Sequence, residues 1–165
     1  MTRRQLLNFL STIGLAPAMA PSATAADTKA APGSVGRLVL SDAEWRKRLS
    51  PAQFEVLRGH GTERAGTSPL NLEKRVGTYH CAGCDLALFT AEAKYDSGTG
   101  WPSFHTALPG HVATSRDFKA IVPRIEYHCA RCEGHQGHVF DDGPRPSGKR
   151  YCNNGVALRF APAAA

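Results

Sequence analysis

Four of the five cysteines stand in two Cys-x-x-Cys pairs, and these pairs carry the plainest chemistry in the sequence. Cys81 and Cys84 follow one strand-like run of residues, and Cys129 and Cys132 follow another. A tetrahedral Zn²⁺ ion takes four thiolates at about 2.3 Å, and two such pairs from different hairpins can supply them. The sequence therefore predicts one structural zinc ion, with no open coordination position for catalysis.

Two other interpretations of these pairs are weighed against zinc. Each pair could form a local disulfide in an oxidising compartment, or act as a redox-active dithiol. A redox pair usually stands at the start of a helix after a strand, whereas Gly83, Glu133 and Gly134 indicate tight turns here. The turn residues favour zinc.

Cys152 is the fifth cysteine and lies outside both pairs. Arg150 is two residues away, which places it on the same face of a strand, and a guanidinium near sulfur favours thiolate over thiol. The next residues, Asn153, Asn154 and Gly155, make the backbone polar and prone to turn. We therefore expect an accessible cysteine with a lowered pKa, against the alternative of a buried and inert one.

The elements that position these residues begin with two helix signals. Ser41 with Glu44, and Ser50 with Gln53, have the capping-box form, and Pro51 suits a first helical position. They predict two short helices whose apolar residues face inward, namely Trp45, Leu49, Phe54, Val56 and Leu57.

From about residue 75 the chain changes to short β-like runs divided by Gly, Pro, Asp and Asn. Such runs at short intervals predict antiparallel sheets. The expected fold class is mainly β, with two small antiparallel sheets, a short N-terminal helical pair and a four-cysteine zinc site that joins distant parts of the chain. The predicted strands are 76–81, 87–89, 111–115, 121–129, 135–140 and 150–160.

The first 25 residues have the form of a secretory signal. Arg3 and Arg4 precede a moderately apolar stretch, and Ala23 to Ala25 offer small residues to a signal peptidase. The paired arginines are similar to a twin-arginine address, which predicts export to a bacterial periplasm. An ordinary Sec signal and an uncleaved amphipathic anchor are the alternatives. The predicted organisation is a signal peptide at 1–25, a flexible leader at 26–36 and one folded domain at 37–165.

Composition and charge exclude several classes of protein. The 165 residues are 42% hydrophobic and 21% charged, which fits a globular domain better than a multi-span membrane protein or a disordered chain. The net charge is +6, and loss of Arg3 and Arg4 with the signal leaves +4, which weakens the case for nucleic acid. We expect a monomer with no nucleic-acid partner and no stable membrane insertion.

Four sequence features occur together between about residues 41 and 160. They are SGTGWPSF at 97–104, the two Cys-x-x-Cys pairs, HQGHVFDDGP at 135–144 and GKRYCNN at 148–154. In this order they resemble peptide methionine-R-sulfoxide reductase of the B type, in its zinc-containing form. The resemblance implies thiol-dependent reduction of the R epimer of methionine sulfoxide, protein-bound or free, through a cysteine sulfenic acid.

The resemblance also implies roles for particular residues. Cys152 matches the nucleophile that attacks the sulfoxide sulfur, and His135 and His138 match paired histidines that protonate the leaving oxygen or hold a water near it. Trp101 matches the indole on which the substrate methyl packs. The other candidates are Asn154 for positioning substrate or the strand that carries Cys152, Phe140 for binding substrate, Arg150 beside the nucleophile, and Asp142 as a partner of a histidine or a water.

Structural alternatives accompany these roles. The histidines could serve hydrogen bonding in a turn, Trp101 could be core packing, and Asp142 could simply form a turn. Two rival interpretations of the whole chain are a zinc-knuckle binding module without catalysis and an inactive member of the family. A binding module needs neither Cys152 nor the two histidines, whereas the enzyme requires Cys152.

Two positions depart from the family pattern. Thr99 stands where many members have a second, resolving cysteine, so Cys152 has no intramolecular thiol partner once the other four bind zinc. We therefore expect an external thiol reductant, which is a thioredoxin-like protein, a glutaredoxin-like protein or a small thiol. Gly155 stands in place of a usual serine and changes the local hydrogen bonding.

Replacing Arg3 and Arg4 together by lysine should leave the precursor in the cytoplasm. A twin-arginine receptor recognises the guanidinium pair, and lysine lacks that planar group. Fractionation of expressing bacteria measures the effect, with Arg37→Lys as a control outside the signal. Undiminished export of the double variant would indicate the Sec route instead.

Overall fold

The computed structural model describes residues 35–118 and 123–164. The predicted signal peptide, and the predicted leader up to residue 34, lie outside these residues. Two helices come first, α1 (Asp42–Arg48) and α2 (Pro51–Leu57). Within the described residues, no helix is long and apolar enough to cross a membrane.

The strands form two antiparallel sheets, as predicted. The small sheet has the order β2-β1-β9 and the large sheet the order β3-β4-β8-β7-β6-β5. The strands of the small sheet are β1 (Gly77–Cys81), β2 (Ala87–Thr90) and β9 (Leu158–Pro162). Those of the large sheet are β3 (Lys94–Tyr95), β4 (Ser103–Phe104), β5 (Val112–Asp117), β6 (Arg124–Cys129), β7 (His135–Phe140) and β8 (Arg150–Asn153).

Two details differ from the predicted strands. The run 150–160 is not one strand, because a 3₁₀ turn at Gly155–Ala157 carries the chain from β8 in the large sheet to β9 in the small one. Strands β3 and β4 were not predicted, since two residues are too few to show an alternating pattern.

Both helices begin at the predicted serines. The hydroxyl of Ser41 accepts from the amide of Glu44, the hydroxyl of Ser50 accepts from that of Gln53, and both capping boxes are closed. Among the predicted inward residues, Trp45, Leu49, Val56 and Leu57 are buried and Phe54 is half-buried.

The core between the two sheets is aromatic. Phe89 of the small sheet stacks on Phe104 of the large sheet, with ring centroids 4.2 Å apart. Tyr79 meets Phe104 edge-on at 4.9 Å, and Tyr127 and Tyr151 meet edge-on at 5.2 Å. Rings in these arrangements gain about 0.5–1.5 kcal/mol per pair beyond their burial. The aromatic core fixes which face of the large sheet points inward.

The two Cys-x-x-Cys pairs have the same turn geometry. Asp85 and Glu133 each follow the second cysteine of a pair with positive φ, at 62° and 57°. Their amides donate at 2.9 Å to the carbonyls of Cys81 and Cys129, respectively. The pairs are therefore equivalent knuckles that aim four sulfurs at one point.

The four sulfurs fit a structural zinc ion. Cys81 and Cys132 have their sulfurs 3.6 Å apart, those of Cys84 and Cys129 are 3.4 Å apart, and all four lie within 4.8 Å of one another. Four sulfurs at 2.3 Å from a tetrahedral ion would be about 3.8 Å apart, whereas a disulfide requires about 2.05 Å. None of the five cysteines, which all lie among the described residues, forms a disulfide, so the geometry favours zinc over local disulfides.

The helical pair covers the second knuckle. The guanidinium of Arg58, at the end of α2, donates to the carbonyl of Cys132 at 2.8 Å. The amide of Leu38, before α1, donates to the carbonyl of Arg131 at 2.7 Å. Because Cys81 ends β1 of the small sheet and Cys129 ends β6 of the large sheet, the zinc site joins the two sheets. The N-terminal segment is attached to it through the second knuckle.

Removal of zinc should unfold the domain cooperatively. Structural zinc supplies about 10–16 kcal/mol of binding free energy in small zinc peptides, and this energy is coupled to folding. Chelation or Cys84→Ser should therefore lower the melting temperature sharply, as followed by circular dichroism and metal analysis. The Cys152→Ser variant is the matched control and should keep its zinc and its melting temperature. Folded wild-type protein without zinc would contradict the assignment.

Candidate active site on the large sheet

One row of directly opposed residues crosses the large sheet and contains Cys152. Ser103, Cys152, His138, Glu126 and Ser115 are successive partners on β4, β8, β7, β6 and β5. Directly opposed residues share a face of a sheet, with Cβ atoms about 4.5–5.5 Å apart. We call these five residues the cross-sheet row. It places a thiol, an imidazole and a carboxylate side by side.

The cross-sheet row faces away from the aromatic core. Side chains alternate along a strand, so Phe104 and Tyr151, which flank Ser103 and Cys152, point to the opposite face. Tyr151 lies 5.8 Å from Phe89 of the small sheet, which shows that its face is the inner one. Cys152 therefore lies on the outer face of the sheet, against a cleft.

A β-bulge brings His135 to the same face as His138. Residues three apart in a regular strand would point to opposite faces. The register of β6 and β7 shifts here, since Tyr127 is opposite Gly137 while His128 is opposite His135. Gln136 is the extra residue, and a bulge of one residue reverses the alternation. The two imidazole rings consequently lie 5.5 Å apart, edge to face.

Gly137 allows the close pairing of β7 with β8. A Cβ atom at this position would lie 1.9 Å from the carbonyl oxygen of Cys152, which is far inside contact distance. Only glycine lacks that atom. The distance between the histidine strand and the cysteine strand therefore depends on the missing side chain.

Most of the predicted site residues line one cavity of about 180 Å³. Trp101 forms part of its wall, and its indole N–H donates to the carbonyl of Glu63 at 3.1 Å. The predicted residues that line the cavity are Trp101, His138, Phe140, Arg150, Cys152 and Asn154; Thr62, Thr99, Arg124, Gly137 and Asn153 complete it.

His135 and Asp142 do not line this cavity. His135 is only 2% exposed and borders an adjoining cleft, which also contacts His138, Thr62 and Arg124. Asp142 is on the surface and binds Arg150, with two hydrogen bonds of 2.8 and 2.7 Å. We therefore find Asp142 beside the arginine and not beside a histidine.

Arg150 is held from two sides next to the thiol. Besides Asp142, the ring of Phe140 lies under its guanidinium at 4.3 Å, in a cation–π contact. The bond to Asp142 raises the pKa of Arg150, so its charge is fixed. Phe140 and Asp142 thus position the guanidinium of Arg150, which the sequence predicted to lie beside Cys152.

The pKa of Cys152 is raised, contrary to the lowered value expected from Arg150. The thiol is half-buried, and the loss of hydration that this causes is the largest contribution to the raised pKa. A hydrogen bond with Thr99 and the charge of Arg150 lower the pKa but do not offset burial. The sequence showed the nearby cation but not the depth of the cavity. At neutral pH the resting residue is accordingly a thiol.

Thr99 belongs to a short chain of hydroxyl groups beside Cys152. Ser97 lies 2.8 Å from the hydroxyl of Thr99 and 2.8 Å from that of Ser103, which is opposite Cys152. Thr99, at the position where the resemblance leads one to expect a resolving cysteine, thus holds a hydroxyl against the thiol. Among the described residues, no second thiol lies in this cavity.

His138 has an acidic partner that the sequence did not reveal. Its Nε2 lies 2.8 Å from Oδ2 of Asp117, which also accepts from Arg124 at 2.8 Å. A carboxylate can only accept, so Nε2 carries the proton and Nδ1 is the other nitrogen. Asp117 ends β5, two strands away from His138, and only the sheet order brings them together.

Asn154 is tied to the backbone on both sides of the cleft. Its amide oxygen accepts from the N–H of Glu63 at 3.0 Å, and its amide nitrogen donates to the carbonyl of Gln136 at 3.0 Å. The carboxylate of Glu63 in turn accepts from the N–H groups of Gly155 and Val156. Asn154 therefore locks the end of β8 in place and connects it with the segment after α2.

The space beside Gly155 is filled by another residue. A Cβ atom there would lie 1.9 Å from Oγ and 2.5 Å from Cβ of Ser68. Ser68 is buried, and its hydroxyl accepts from the amide of Leu70. The departure from the family pattern at Gly155 is thus accommodated by Ser68.

Sequence reasoning missed several residues with polar contacts around the site, among them His60, Glu63, Asp117, Arg124 and Glu126. The available signal was weak, since each is one charged or titratable residue in an ordinary run. A carboxylate that interrupts a predicted strand, as Glu126 does in 121–129, was the best clue to a buried pairing.

A second group of metal-ligating side chains adjoins His138. His60, Glu126 and His135 each offer one ligand atom, and these lie within 4.8 Å of one another. Oε1 of Glu126 is 2.7 Å from Nδ1 of His135, which is a direct hydrogen bond, and 2.9 Å from Nδ1 of His60. These direct contacts with Glu126 explain why the three side chains lie close together without a metal ion between them.

Alkylation of Cys152 should rise with pH to a midpoint above that of an ordinary thiol. Arg150→Gln removes a charge that favours the thiolate, so alkylation at pH 8 should slow by roughly 3- to 10-fold, since thiolate fraction outweighs the gain in nucleophilicity. Arg159→Gln, whose arginine binds Asp85 instead, is the control. Iodoacetamide labelling that is quenched at set times and analysed by mass spectrometry measures the alkylation rate of Cys152 in both variants. Faster labelling of Arg150→Gln would contradict this account of the thiol.

Comparisons with known proteins agree with this geometry. The SelR domain matches residues 49–162. Peptide methionine sulfoxide reductase B1, chloroplastic, of Arabidopsis thaliana is 51% identical over 122 residues, covering 73% of this chain and 60% of that protein. Proteins named peptide methionine sulfoxide reductase MsrB are similar too: that of Agrobacterium fabrum is 50% identical, covering 74% of this chain and 91% of its own, and that of Pseudomonas putida is 51% identical, covering 72% and 90%. The chain therefore belongs to the SelR-domain family of MsrB-type peptide methionine sulfoxide reductases.

Proposed function

We propose that this protein reduces the R epimer of methionine sulfoxide to methionine, with Cys152 as nucleophile and an external thiol as reductant. The observation that carries the proposal is the cavity beside the cross-sheet row, where a thiol not used by the zinc cluster lies opposite His138. Sequence similarity supports the substrate class, and the stereochemistry follows the B type of the family.

The first step transfers oxygen from substrate to enzyme. The thiol of Cys152 attacks the sulfoxide sulfur and forms a sulfur–sulfur bond with it; the oxygen then passes to Sγ of Cys152 as the sulfur–oxygen bond of the substrate and the new sulfur–sulfur bond both break, and methionine leaves. The oxygen remains on Cys152 as sulfenic acid, and the thiol proton balances the hydroxyl that forms. One molecule of methionine sulfoxide and one thiol thus give methionine and one sulfenic acid.

His138 and Trp101 are the residues placed to assist. His138 lines the cavity opposite Cys152, and Asp117 holds its Nε2, so Nδ1 is the nitrogen available to exchange a proton with the sulfoxide oxygen. Trp101 offers an aromatic surface to the methyl and sulfur of the substrate. Its indole N–H is engaged by Glu63, which orients the ring.

Regeneration of the thiol requires a second reactant. A sulfenic acid condenses with a thiol to give a mixed disulfide and water, and a second thiol then releases the enzyme as free thiol with an external disulfide. Thr99 cannot supply either thiol, and the other four cysteines belong to the zinc cluster. A thioredoxin-like protein, a glutaredoxin-like protein or a small thiol fits this role.

The experiment that tests the function is an assay on separated epimers. Wild-type protein, with dithiothreitol as reductant, should convert the R epimer of a peptide methionine sulfoxide and leave the S epimer unchanged. Cys152→Ser should abolish conversion while retaining zinc. Zinc-loaded wild-type protein that is inactive on both epimers, or an active Cys152→Ser variant, would refute the proposal.

One equivalent of substrate without reductant should leave Cys152 as a persistent sulfenic acid. No second thiol of the described residues lines its cavity, so only an external thiol can remove the oxygen. Dimedone labelling and intact mass should show one labelled cysteine, no intramolecular disulfide and full zinc content. A disulfide from Cys152 to a zinc cysteine, with release of zinc, would contradict the separation of the two cysteine sets.

A further inference from the structure

Glu126 lies next to His138 in the cross-sheet row, two strands from Cys152. Its side chain is 12% exposed, and both oxygens are engaged. Oε1 contacts His135 at 2.7 Å and His60 at 2.9 Å, and Oε2 accepts from the hydroxyl of Ser115 at 3.2 Å. A partly buried carboxylate with three polar partners is held in one position and is not a solvated surface charge.

The contact fixes which nitrogen of His135 carries a proton. An ionised carboxylate only accepts hydrogen bonds, so Nδ1 of His135 must be the donor to Glu126. The neutral ring then has its lone pair on Nε2. This Nε2 is buried and has no hydrogen-bond partner among the described residues.

A buried acceptor with no partner is costly and needs a reason. His135 is almost fully enclosed and lies in contact with His138, whose Nε2 faces Asp117. The two imidazoles therefore use opposite nitrogens for their carboxylates. Glu126 leaves Nε2 of His135 open, while Asp117 leaves Nδ1 of His138 open.

We propose that Glu126 is a positioning residue that holds His135 in the Nδ1–H form, so that Nε2, next to the ring of His138, can hold the thiol proton of Cys152 until the sulfoxide oxygen takes it up. The inference rests on the proposed function for its effect on rate, but the proton position can be measured without turnover. Glu126 acts through His135 and does not touch the substrate cavity.

The electrostatics of the group support this role. Burial alone would raise the pKa of Glu126, but the hydrogen bond from His135, with a smaller electrostatic contribution from His135 and His60, lowers it overall, so the carboxylate stays ionised. Burial lowers the pKa of His135, with Glu126 opposing, so the ring is mainly neutral at pH 7. An ionised carboxylate beside a neutral ring both orients the imidazole and stabilises the imidazolium when it accepts a proton.

The test compares Glu126→Gln with Glu92→Gln. Glutamine keeps the shape of Glu126, but its amide group can donate to Nδ1 and so favours the Nε2–H form of His135. Glu92 is exposed and lies outside both the zinc knuckles and the cavity, so its variant controls for the loss of one negative charge. Both variants are first checked for zinc content and melting temperature against wild type.

Two readouts are expected to move together in Glu126→Gln. Nitrogen-15 NMR of the imidazoles, with His135 assigned through His135→Gln, should show Nδ1–H in wild type and a shift towards Nε2–H in the variant. The single-turnover rate on the R epimer should fall about 10- to 100-fold, within the range of acid–base effects, while KM changes by less than about 3-fold. Glu92→Gln should match wild type in both.

Three results would overturn the inference. One is a folded Glu126→Gln variant with the wild-type rate and the wild-type proton position. Another is a loss of rate that follows only a loss of zinc or of melting temperature. The third is a second equivalent of Co²⁺ bound by zinc-loaded wild type and lost in Glu126→Gln, which would make the group a metal site. An inactive wild type would refute the proposed function, whereas the proton position would still test Glu126.

Discussion

The register of β7 against β8 is the constraint on which the rest of the site depends. A slip of one residue would turn every side chain of a strand to the other face, so His138 would leave the cleft for the aromatic core. The register is secured at the closest point, where Gly137 meets the carbonyl of Cys152 with no room for a side chain. This register also sets the neighbouring residue pairs of the sheet, so that the aromatic rings point inward and the polar groups outward.

The bulge at Gln136 links this site to the metal cluster. Its side-chain amide donates to the sulfur of Cys81 at 3.4 Å, and its carbonyl accepts from both the backbone and the side chain of Asn154. The residue that reverses the alternation of β7 is therefore held at one end by a zinc ligand and at the other by the strand of the nucleophile. The zinc cluster is thus structural in a specific sense, since it supports the conformation that brings His135 to the face of His138.

Local patterns in the sequence predicted the local features well. The capping serines, the knuckles and the β-rich region follow from short-range chemistry, and the structure agrees with all three. The prediction that Cys152, His138 and Trp101 belong to one site came from the resemblance of the motifs to a known family, and not from residue spacing. What could not be predicted depends on long-range pairing. Asp117 and Glu126 meet the histidines only through the strand order, and the raised pKa of Cys152 reflects the depth of a cavity that no single segment forms.

The contact between Ser68 and Gly155 carries a consequence for how this chain can change over evolutionary time. The two positions share one side-chain volume, and Ser68 occupies it with both Cβ and Oγ. A serine gained at 155 alone would collide even with an alanine at 68, because the Cβ atom of residue 68 is already 2.5 Å from the required position. A change to the usual family residue at 155 therefore requires an earlier change to glycine at 68, or movement of the backbone. The order of substitutions, and not only their identity, limits the sequences that this site can reach.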